Sequence, residues 1–320
     1  MVIHRPECEA TESMRLKFAL YPGCAAKGAT PELYQSTMAI IGRLGIEVIE
    51  LAASSCCGAG VIGEADPDLA LALNARNFSQ AERLGLDVMT ICGTCQGVMS
   101  AANRRLKNEP ATLVRINKIL AQDGIEYHGG VQVKHLLWIA VRDLGLTRVA
   151  ETVRSPFREF RIAPFYGCYM LRPSWELGFD DPENPTSLEQ IIRAVGGEPV
   201  AYAGRTKCCG FPIILEKEAI AVAMAGANMK DARDHGADFM VTPCPLCHMS
   251  LDIYQERAGR AVKTALNLPI LHLPQLLGLA MGIPAQELGL SRHLISVDSI
   301  VTRLQRENRE SNLLPAEPNT

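Results

Sequence analysis

The chain has 320 residues, of which 48% are hydrophobic and 21% charged, a composition typical of a globular protein with about two domains. Its net charge of −3 and isoelectric point near 6.2 give no general attraction for nucleic acid or an anionic membrane. The sequence also predicts no membrane span, because its longest late apolar stretch, residues 268–284, contains two internal prolines, a histidine and a glutamine.

The start of the chain lacks the uninterrupted apolar core of a secretory signal. Eleven cysteines without such a signal indicate a reducing, cytoplasmic setting, where closely spaced cysteines serve metal or redox chemistry and not a disulfide framework. Residues 1–15 are predicted to form a loose polar leader, and Cys8 in it is predicted to be an uncommitted thiol.

Strands and helices alternate through the first half of the chain. The predicted strands span residues 15–24, 46–52 and 86–92, and the predicted helices span 31–45, 66–85 and 98–107. Residues 111–150, including the segment VKHLLWIAVRDLG, are predicted to add helix. This order predicts an α/β fold with a small parallel sheet flanked by helices, and ligands of such sheets bind outside the carboxyl ends of the strands.

The second half repeats this plan. The segment FRIAPFYGC predicts a strand, SLEQIIRAVGG a helix, EPVAYAGRTKCCG a strand with its loop, AIAVAMAGANMKDARDHG a helix and ADFMVTPC a strand. We predict two tandem domains at residues 16–152 and 153–285. Residues 286–320 are predicted to form a C-terminal helix and a flexible tail.

Ten of the eleven cysteines form two copies of one pattern, C-x31-CC-x34-C-x2-C and C-x39-CC-x34-C-x2-C. The first copy consists of Cys24, Cys56, Cys57, Cys92 and Cys95, and the second of Cys168, Cys208, Cys209, Cys244 and Cys247. The first cysteines of the copies differ by 144 positions and the other four by 152. One eight-residue insertion therefore separates the copies, and the loop WELGFDDPENPTS is its predicted place. Because all five cysteines of a copy follow predicted strands, each copy is expected to gather at one sheet edge.

Five cysteines per copy exceed the four ligands of a structural zinc or a cubane [4Fe–4S] cluster. Adjacent side chains diverge, so a vicinal pair suits neighbouring irons of a larger cluster better than one small ion. Iron–sulfur clusters are therefore the first expectation, with zinc in one site or a redox-active thiol pair as alternatives. The segment GAGVIG at residues 58–63 fits a dinucleotide-binding pattern, but the second copy lacks it and no acidic residue follows at the expected distance.

The repeated cysteine pattern resembles the cysteine-rich CCG domain, and two tandem copies resemble HdrB, a component of heterodisulfide reductase, and its relatives. Similar tandem pairs occur in sulfur-oxidation complexes, in certain succinate dehydrogenases and fumarate reductases, and in glycolate and lactate oxidases. The resemblance covers roughly residues 16–280. It implies that each five-cysteine set holds a noncubane [4Fe–4S] cluster and that the two domains face each other about a pseudo-twofold axis.

The resemblance also implies an oxidoreductase of sulfur metabolism that reduces or forms a disulfide, or handles sulfane sulfur, between the clusters. The vicinal pairs Cys56–Cys57 and Cys208–Cys209 are then the expected catalytic cysteines. Electrons would come from an HdrC-like iron–sulfur protein with cubane clusters. That protein would in turn receive its electrons from an HdrA-like flavoprotein. The alternative is a non-catalytic electron-transfer or docking subunit of a succinate dehydrogenase-, glycolate oxidase- or lactate oxidase-like complex.

Three histidines and two cations lie near the pattern. His248 follows Cys247 directly and is expected to supply a hydrogen bond or a proton, whereas Gln96 takes its place in the first copy. His135 and His272 are expected on apolar helices as core residues. Arg205 and Lys207 precede Cys208 and could hold an anionic substrate or stay solvated. An open cleft between the two clusters, lined with Lys and Arg, would favour a catalytic subunit. Clusters buried apart, each under a closed loop, would favour an electron-transfer subunit.

Overall fold

Two four-stranded parallel sheets with the same topology form the centre of the two halves. The structure is a computed structural model that describes residues 16–313. The predicted leader with Cys8 and the last seven residues of the predicted tail lie outside the described residues. Among residues 16–313, no helix combines the length and the apolar character that crossing a membrane requires.

The first half holds four strands and eight helices within the described part of the chain. In order these are β1 (Leu16–Tyr21), α1 (Gly23–Gly28), α2 (Pro31–Ile41), β2 (Ile46–Glu50), α3 (Val61–Ala65), α4 (Pro67–Arg83), β3 (Val88–Thr90), α5 (Gly93–Asn108), α6 (Pro110–Leu120), β4 (Val133–His135), α7 (Leu136–Trp138) and α8 (Leu146–Glu151). Helix α7 continues as a π-helix over Ile139–Leu144.

The second half and the C-terminal segment follow the same order of elements. They contain β5 (Arg161–Pro164), α9 (Ser174–Leu177), α10 (Ser187–Ala194), β6 (Glu198–Pro199), α11 (Glu218–Asp234), β7 (Phe239–Thr242), α12 (Pro245–Asp252), α13 (Gln255–Ala261), β8 (Ile270–His272), α14 (Leu273–Ala280) and α15 (Asp298–Leu313). Short 3-10 turns span Ala203–Thr206, Phe211–Ile213 and Leu290–Arg292.

Strand order is β2-β1-β3-β4 in one sheet and β6-β5-β7-β8 in the other, and every pairing is parallel. Strands β3 and β7 are buried along their whole length, and all their residues except Thr90 and Thr242 are apolar, because helices cover both faces of a parallel sheet. The carboxyl ends of β1, β2 and β3 therefore meet at one edge, as do those of β5, β6 and β7. The α/β prediction with two parallel sheets is confirmed.

The fourth strand of each sheet was not expected from the sequence. The segment around His135 was predicted as helix, and that prediction is wrong for residues 133–135, which form β4 beside β3. His272 likewise ends β8 beside β7. Three residues are too few to show the alternation of a strand, and each strand runs directly into an apolar helix that dominates the pattern. Both histidines therefore lie at strand-to-helix junctions.

The two halves pack through helices that each half contributes to the other. Helix α2 of the first half packs on α14, and α10 of the second half packs on α7 and α8. One continuous apolar cluster contains residues of both sheets, including Leu20 and Ile162. The boundary between residues 152 and 153 stays a proposal, because the halves share this core.

The predicted insertion packs on the first half and also contacts Arg172 and Arg205, which lie near Cys168 and Cys208 of the second site. Trp138 stacks on Phe179 with ring centroids 4.8 Å apart, and the Arg142 guanidinium lies over the same Phe179 ring. Helix α9 at the start of the insertion packs on α5. At the other end of the chain, α15 continues to Leu313, so the helix enters the first residues of the segment predicted as a tail.

Candidate functional site

The five cysteines of the first copy meet at the carboxyl edge of the first sheet. Cys24 lies in the first turn of α1 after β1, the loop after β2 carries Cys56 and Cys57, and β3 leads to Cys92 and Cys95 at the start of α5. The Sγ atoms of Cys57 and Cys95 are 3.5 Å apart. The Cys56 thiol is close enough to those of Cys24 and Cys57 for them to shift its pKa, and the Cys95 amide donates to Cys92 Sγ at 3.4 Å. The five cysteines of the first copy therefore form one site.

The second copy repeats this arrangement at the edge of the second sheet. Cys168 contacts Cys208, Cys208 contacts Cys209, and Cys209 contacts Cys247. Cys244 contacts Cys247 at the start of α12. All ten cysteines in the described part of the chain are free thiols.

The two sites adjoin each other across the interface between the halves. The Cys92 thiol of the first site lies close enough to the Cys244 thiol of the second for each to shift the pKa of the other. The Thr94 hydroxyl lies 3.4 Å from Cys244 Sγ, and the Gly93 amide donates to the Pro243 carbonyl at 3.2 Å. The ten thiols thus form one unbroken series of contacts from Cys24 to Cys168.

Glycines next to the cysteines leave room that any other residue would fill. A Cβ on Gly167 would lie 2.7 Å from Cys247 Sγ, and one on Gly23 would lie 3.3 Å from Cys95 Sγ. Gly58 and Gly210 follow the vicinal pairs with φ of 78° and 85°, and their amides donate to Cys56 and Cys208 at 3.4 Å. Positive φ at these positions favours glycine, which lets backbone N–H groups turn toward the thiols.

The charge balance of the sites fits a positively charged multi-iron group. Hydrogen bonds from Cys24 and Cys57 lower the pKa of Cys56 to about 2, and Cys168 and Cys209 lower the pKa of Cys208 in the same way. Hydrogen bonding to these neighbours and burial raise the pKa of the thiols that donate, Cys24 and Cys168. Each protein site alone therefore stabilises few thiolates, and five thiolates need the positive charge that iron supplies.

A cleft of about 360 Å³ opens between the halves beside the second site. Its walls include Cys168, Cys209, Cys244 and Cys247. The remaining wall is largely aromatic and aliphatic, and Glu64 is its one charged side chain among the described residues. The expected cleft between the two clusters is met only in part, because among the described residues the cleft is lined by cysteines of the second site alone and by no lysine or arginine.

Arg205, one of the two cations considered for substrate binding, is held by a buried carboxylate. Its guanidinium lies 2.5 Å from Glu189, which is only 8% exposed and also accepts a hydrogen bond from the Tyr166 hydroxyl. Lys207 is exposed and does not line the cleft. Arg205 therefore fixes the strand-end segment that carries Tyr166 and does not face the cleft.

Replacing Glu189 with alanine is expected to lower the free energy of unfolding by about 3 kcal/mol, because it leaves Arg205 and Tyr166 without their shared partner. The measurement is urea denaturation followed by circular dichroism. The control is Glu183→Ala, which breaks a 3.0 Å pair to Arg172 in which the glutamate is 82% exposed. That change is expected to cost less than about 1 kcal/mol. Equal losses in the two variants would contradict the structural role of Glu189.

His248 lies behind the second site and not in the cleft. Its Nε2 is 3.1 Å from the Ile270 carbonyl and 3.2 Å from His293 Nδ1, and its ring stacks on His272 with centroids 3.9 Å apart. In the first half, the Gln96 amide donates to the Val133 carbonyl at 3.0 Å in the matching place. Burial lowers the pKa of His248 well below its usual range, so the imidazole is neutral at pH 7.

His135 and His272 each connect one half to the other. His135 Nε2 lies 3.0 Å from the Pro243 carbonyl, directly before Cys244, and its Nδ1 accepts from the Leu137 amide. His272 Nε2 lies 3.3 Å from the buried carboxylate of Glu32 on α2. Burial lowers the pKa of His135 to about 4. Both are neutral interface residues, as expected of core histidines.

Several residues of the site were not identified from the sequence. Thr94 contacts Cys244 across the interface, Glu64 places a carboxylate in the cleft wall, and Phe211 and Met249 form part of its apolar side. Pairwise comparison of the two copies could have singled out Phe211 and Met249, since small residues stand at the matching places. Nothing in the sequence marks Thr94 as an interface residue.

The family profile described as the CCG cysteine-rich domain matches residues 18–100 and 162–252 of the chain. These two segments contain the ten cysteines of the two sites. Each match begins in the first strand of a half and ends in the helix that begins within the CxxC segment.

Proteins similar over almost the whole chain include the 8-methylmenaquinol:fumarate reductase membrane anchor subunit of Wolinella succinogenes, at 39% identity over 90% of this chain and 100% of that protein. The B subunit of the ferredoxin/F(420)H(2)-dependent CoB-CoM heterodisulfide reductase of Methanosarcina acetivorans is 31% identical over 87% of this chain and 94% of that protein. A protein of Archaeoglobus profundus described as similar to the B subunit of heterodisulfide reductase is 31% identical over 92% of this chain and 100% of that protein.

A solved structure, that of a hypothetical protein from Helicobacter pylori, shares the fold with a TM-score of 0.71 at 20% identity. The match covers 88% of this chain, and this chain spans about half of that one, 52%.

Proposed function

Because the chain belongs to the cysteine-rich CCG domain family, we propose that it is the iron–sulfur subunit of a heterodisulfide reductase-type oxidoreductase complex. The observation that carries the proposal is the convergence of ten thiols into two adjoining five-cysteine sites beside an open cleft. In this proposal Cys24, Cys56, Cys57, Cys92 and Cys95 hold one noncubane [4Fe–4S] cluster. The second is held by Cys168, Cys208, Cys209, Cys244 and Cys247.

When bound, the two clusters would each supply one electron to a substrate in the cleft. Reduction of a disulfide consumes two electrons and two protons and yields two thiols. The vicinal pairs Cys56–Cys57 and Cys208–Cys209 are the proposed catalytic cysteines. The Gly58 and Gly210 amides would donate hydrogen bonds to the ligating sulfurs, which tunes the reduction potential of such sites.

The proposed partners follow from the electron balance and from the relatives. An HdrC-like iron–sulfur protein with cubane clusters would donate the electrons to this chain. An HdrA-like flavoprotein would donate electrons to the HdrC-like protein. In a sulfur-oxidising relative the reaction would proceed in the opposite direction, so that a protein- or cofactor-bound sulfur is oxidised and the electrons pass to the partner proteins. The proposed setting is the reducing cytoplasm, where closely spaced cysteines serve metal or redox chemistry.

A second candidate is an electron-transfer subunit of a complex that links a quinol to fumarate or succinate. The 39% identity to a subunit of 8-methylmenaquinol:fumarate reductase supports it, as does the cleft wall without lysine or arginine. In that case the cleft would bind no disulfide. The two candidates share the two clusters and differ in the substrate.

Anaerobic purification followed by metal and sulfide analysis tests the shared part of the proposal. We expect about eight irons and eight sulfides per chain, as two four-iron clusters require. About four irons with one zinc would select the alternative of zinc in one site, and a colourless protein free of iron would refute the proposal. The rate at which the protein oxidises reduced viologen then separates the candidates. Oxidation that starts when a disulfide is added favours the disulfide reductase, and oxidation that requires the partners of a fumarate-reducing complex favours the electron-transfer subunit.

We propose that His248 supports the second site indirectly, as a positioning group behind α12. The variant His248→Gln copies Gln96 and is expected to keep the bond to the Ile270 carbonyl, so iron content and melting temperature change little. Turnover is expected to fall by less than about fivefold, with an unchanged pH profile, because the neutral imidazole does not contact the cleft. A loss of the acidic limb of the pH profile would instead assign it direct proton transfer.

A further inference from the structure

The backbone around the cysteines is almost the same in the two five-cysteine sites. The Gly58 and Gly210 amides donate to the first sulfur of their vicinal pairs at the same distance of 3.4 Å. The first cysteine of each CxxC segment has the same conformation, with φ of −129° at Cys92 and −128° at Cys244. A difference between the two sites must therefore come largely from side chains.

One side chain breaks this equivalence. The Thr94 hydroxyl of the first half lies 3.4 Å from Cys244 Sγ of the second half. Equivalent residues of the two CxxC segments are 152 positions apart, so the residue that matches Thr94 is Leu246. Leucine has no hydrogen-bond donor, so Cys92 receives no such bond in return. Among the described residues other than the cysteines, Thr94 is the one whose side chain hydrogen-bonds a cysteine sulfur.

The surroundings of Thr94 hold its hydroxyl beside Cys244. Thr94 is buried as the second residue of α5, and a β-branched side chain has few χ1 rotamers in a helix. The Gly93 amide donates to the Pro243 carbonyl at 3.2 Å, and His135 Nε2 lies 3.0 Å from the same carbonyl. These two contacts fix the residue before Cys244 against the start of α5.

The direction of the hydrogen bond follows from the chemistry of the sulfur. A cysteine that ligates iron is a thiolate, which accepts hydrogen bonds and donates none, so the Thr94 hydroxyl would be the donor. Reduction adds one electron to a cluster and increases the negative charge on its sulfurs. A hydrogen bond to such a sulfur is then stronger in the reduced state than in the oxidised state, which raises the reduction potential.

We propose that Thr94 of the first half raises the reduction potential of the cluster in the second site, by donating a hydrogen bond to Cys244. The proposal rests on the function proposed above, because it requires an iron–sulfur cluster at the second site. In the step concerned, that cluster gains one electron from an iron–sulfur donor, and no covalent bond of the protein forms or breaks. The hydroxyl thus favours an electron on the second site over one on the first.

Redox titration of the anaerobically purified, iron-loaded protein tests the proposal, with visible absorption and electron paramagnetic resonance as readouts. In Thr94→Val, which removes the hydroxyl, we expect the equilibrium constant for one-electron reduction of the second cluster to fall about tenfold. This corresponds to a potential lower by about 59 mV. The first cluster should keep its potential. The signal of the second cluster is the one that is lost in Cys208→Ser/Cys209→Ser.

Two further variants separate the hydroxyl from packing. Thr94→Ser keeps the hydroxyl without the methyl group and is expected to have potentials close to those of the parent. The matched control is Thr37→Val, which removes the hydroxyl of another buried helical threonine. That hydroxyl donates to the Leu33 carbonyl at 2.7 Å and contacts no cysteine, so neither potential should change. Iron content should be the same in all three variants, because neither threonine is a ligand.

Unchanged potentials in Thr94→Val, an equal shift of both clusters, or the same shift in Thr37→Val would overturn the inference. Equal shifts in Thr94→Ser and Thr94→Val would also overturn it, because the effect would then come from packing and not from the hydroxyl. Iron content separates this failure from that of the proposed function. A protein with about eight irons and unchanged potentials refutes the role of Thr94 alone, whereas a protein without iron refutes the proposed function and with it this inference.

Discussion

The double variant Cys208→Ser/Cys209→Ser is expected to retain about half of the iron and to lose all turnover, because serine is a poor ligand for iron and the second site contacts the cleft. The first site should keep its iron, since its five thiols all come from the first half. Iron analysis and electron paramagnetic resonance of the anaerobic protein measure the result, and turnover with reduced viologen measures the activity.

Two companion variants make this experiment specific. Cys8→Ser removes the cysteine outside both patterns and is expected to change neither iron nor turnover. Cys56→Ser/Cys57→Ser should also halve the iron and stop turnover. If the Cys208/Cys209 variant kept all its iron, or if both sites emptied together in each double variant, two independently held clusters would be ruled out.

Gly167→Ala is expected to empty the second site while the chain still folds. The new Cβ would lie 2.7 Å from Cys247 Sγ, and the backbone there has φ of 68°, where a side chain adds strain of about 1–2 kcal/mol. Cys247 must move to relieve the contact, and a cluster held by five sulfurs tolerates little displacement of one. We expect loss of about half of the iron and a lower melting temperature.

The control Gly178→Ala separates the effect of the contact from that of the strain. Gly178 has φ of 59° and no atom within 4 Å of the place that an added methyl group would take, so alanine there adds strain without a clash. It should lower the melting temperature slightly and leave the iron unchanged. Gly23→Ala, with its Cβ 3.3 Å from Cys95 Sγ, should have an intermediate effect on the first site. Equal iron loss at Gly167 and Gly178 would show that strain alone empties the site.

The parallel sheets and the gathering of each cysteine set could be predicted because the signals are local and repeated. Strands before Cys24 and Cys92 are apolar, helices follow them, and parallel strands place their carboxyl ends at one edge. The identical spacing of 34 residues between each vicinal pair and its CxxC segment then identifies matching positions. These features need no knowledge of how the halves pack.

Contacts between the halves could not be predicted, because they depend on which surfaces meet. The bond from His135 to the Pro243 carbonyl joins residues 108 positions apart, and nothing near either residue marks the other as its partner. The partner of Arg205 could not be predicted for the same reason, because Glu189 lies on a separate element, helix α10. The three-residue strands β4 and β8 were missed because so short a segment carries no periodicity.

The exchange of helices between the halves has a consequence for how such a protein can change over time. Two separate, identical copies packed by α2 on α14 and α10 on α8 would carry every substitution twice, once on each side. When both halves belong to one chain, that constraint is absent, so one half can have the large Phe211 where the other has the small Ala59. Gene duplication followed by fusion thus permits the two halves to differ at matching positions.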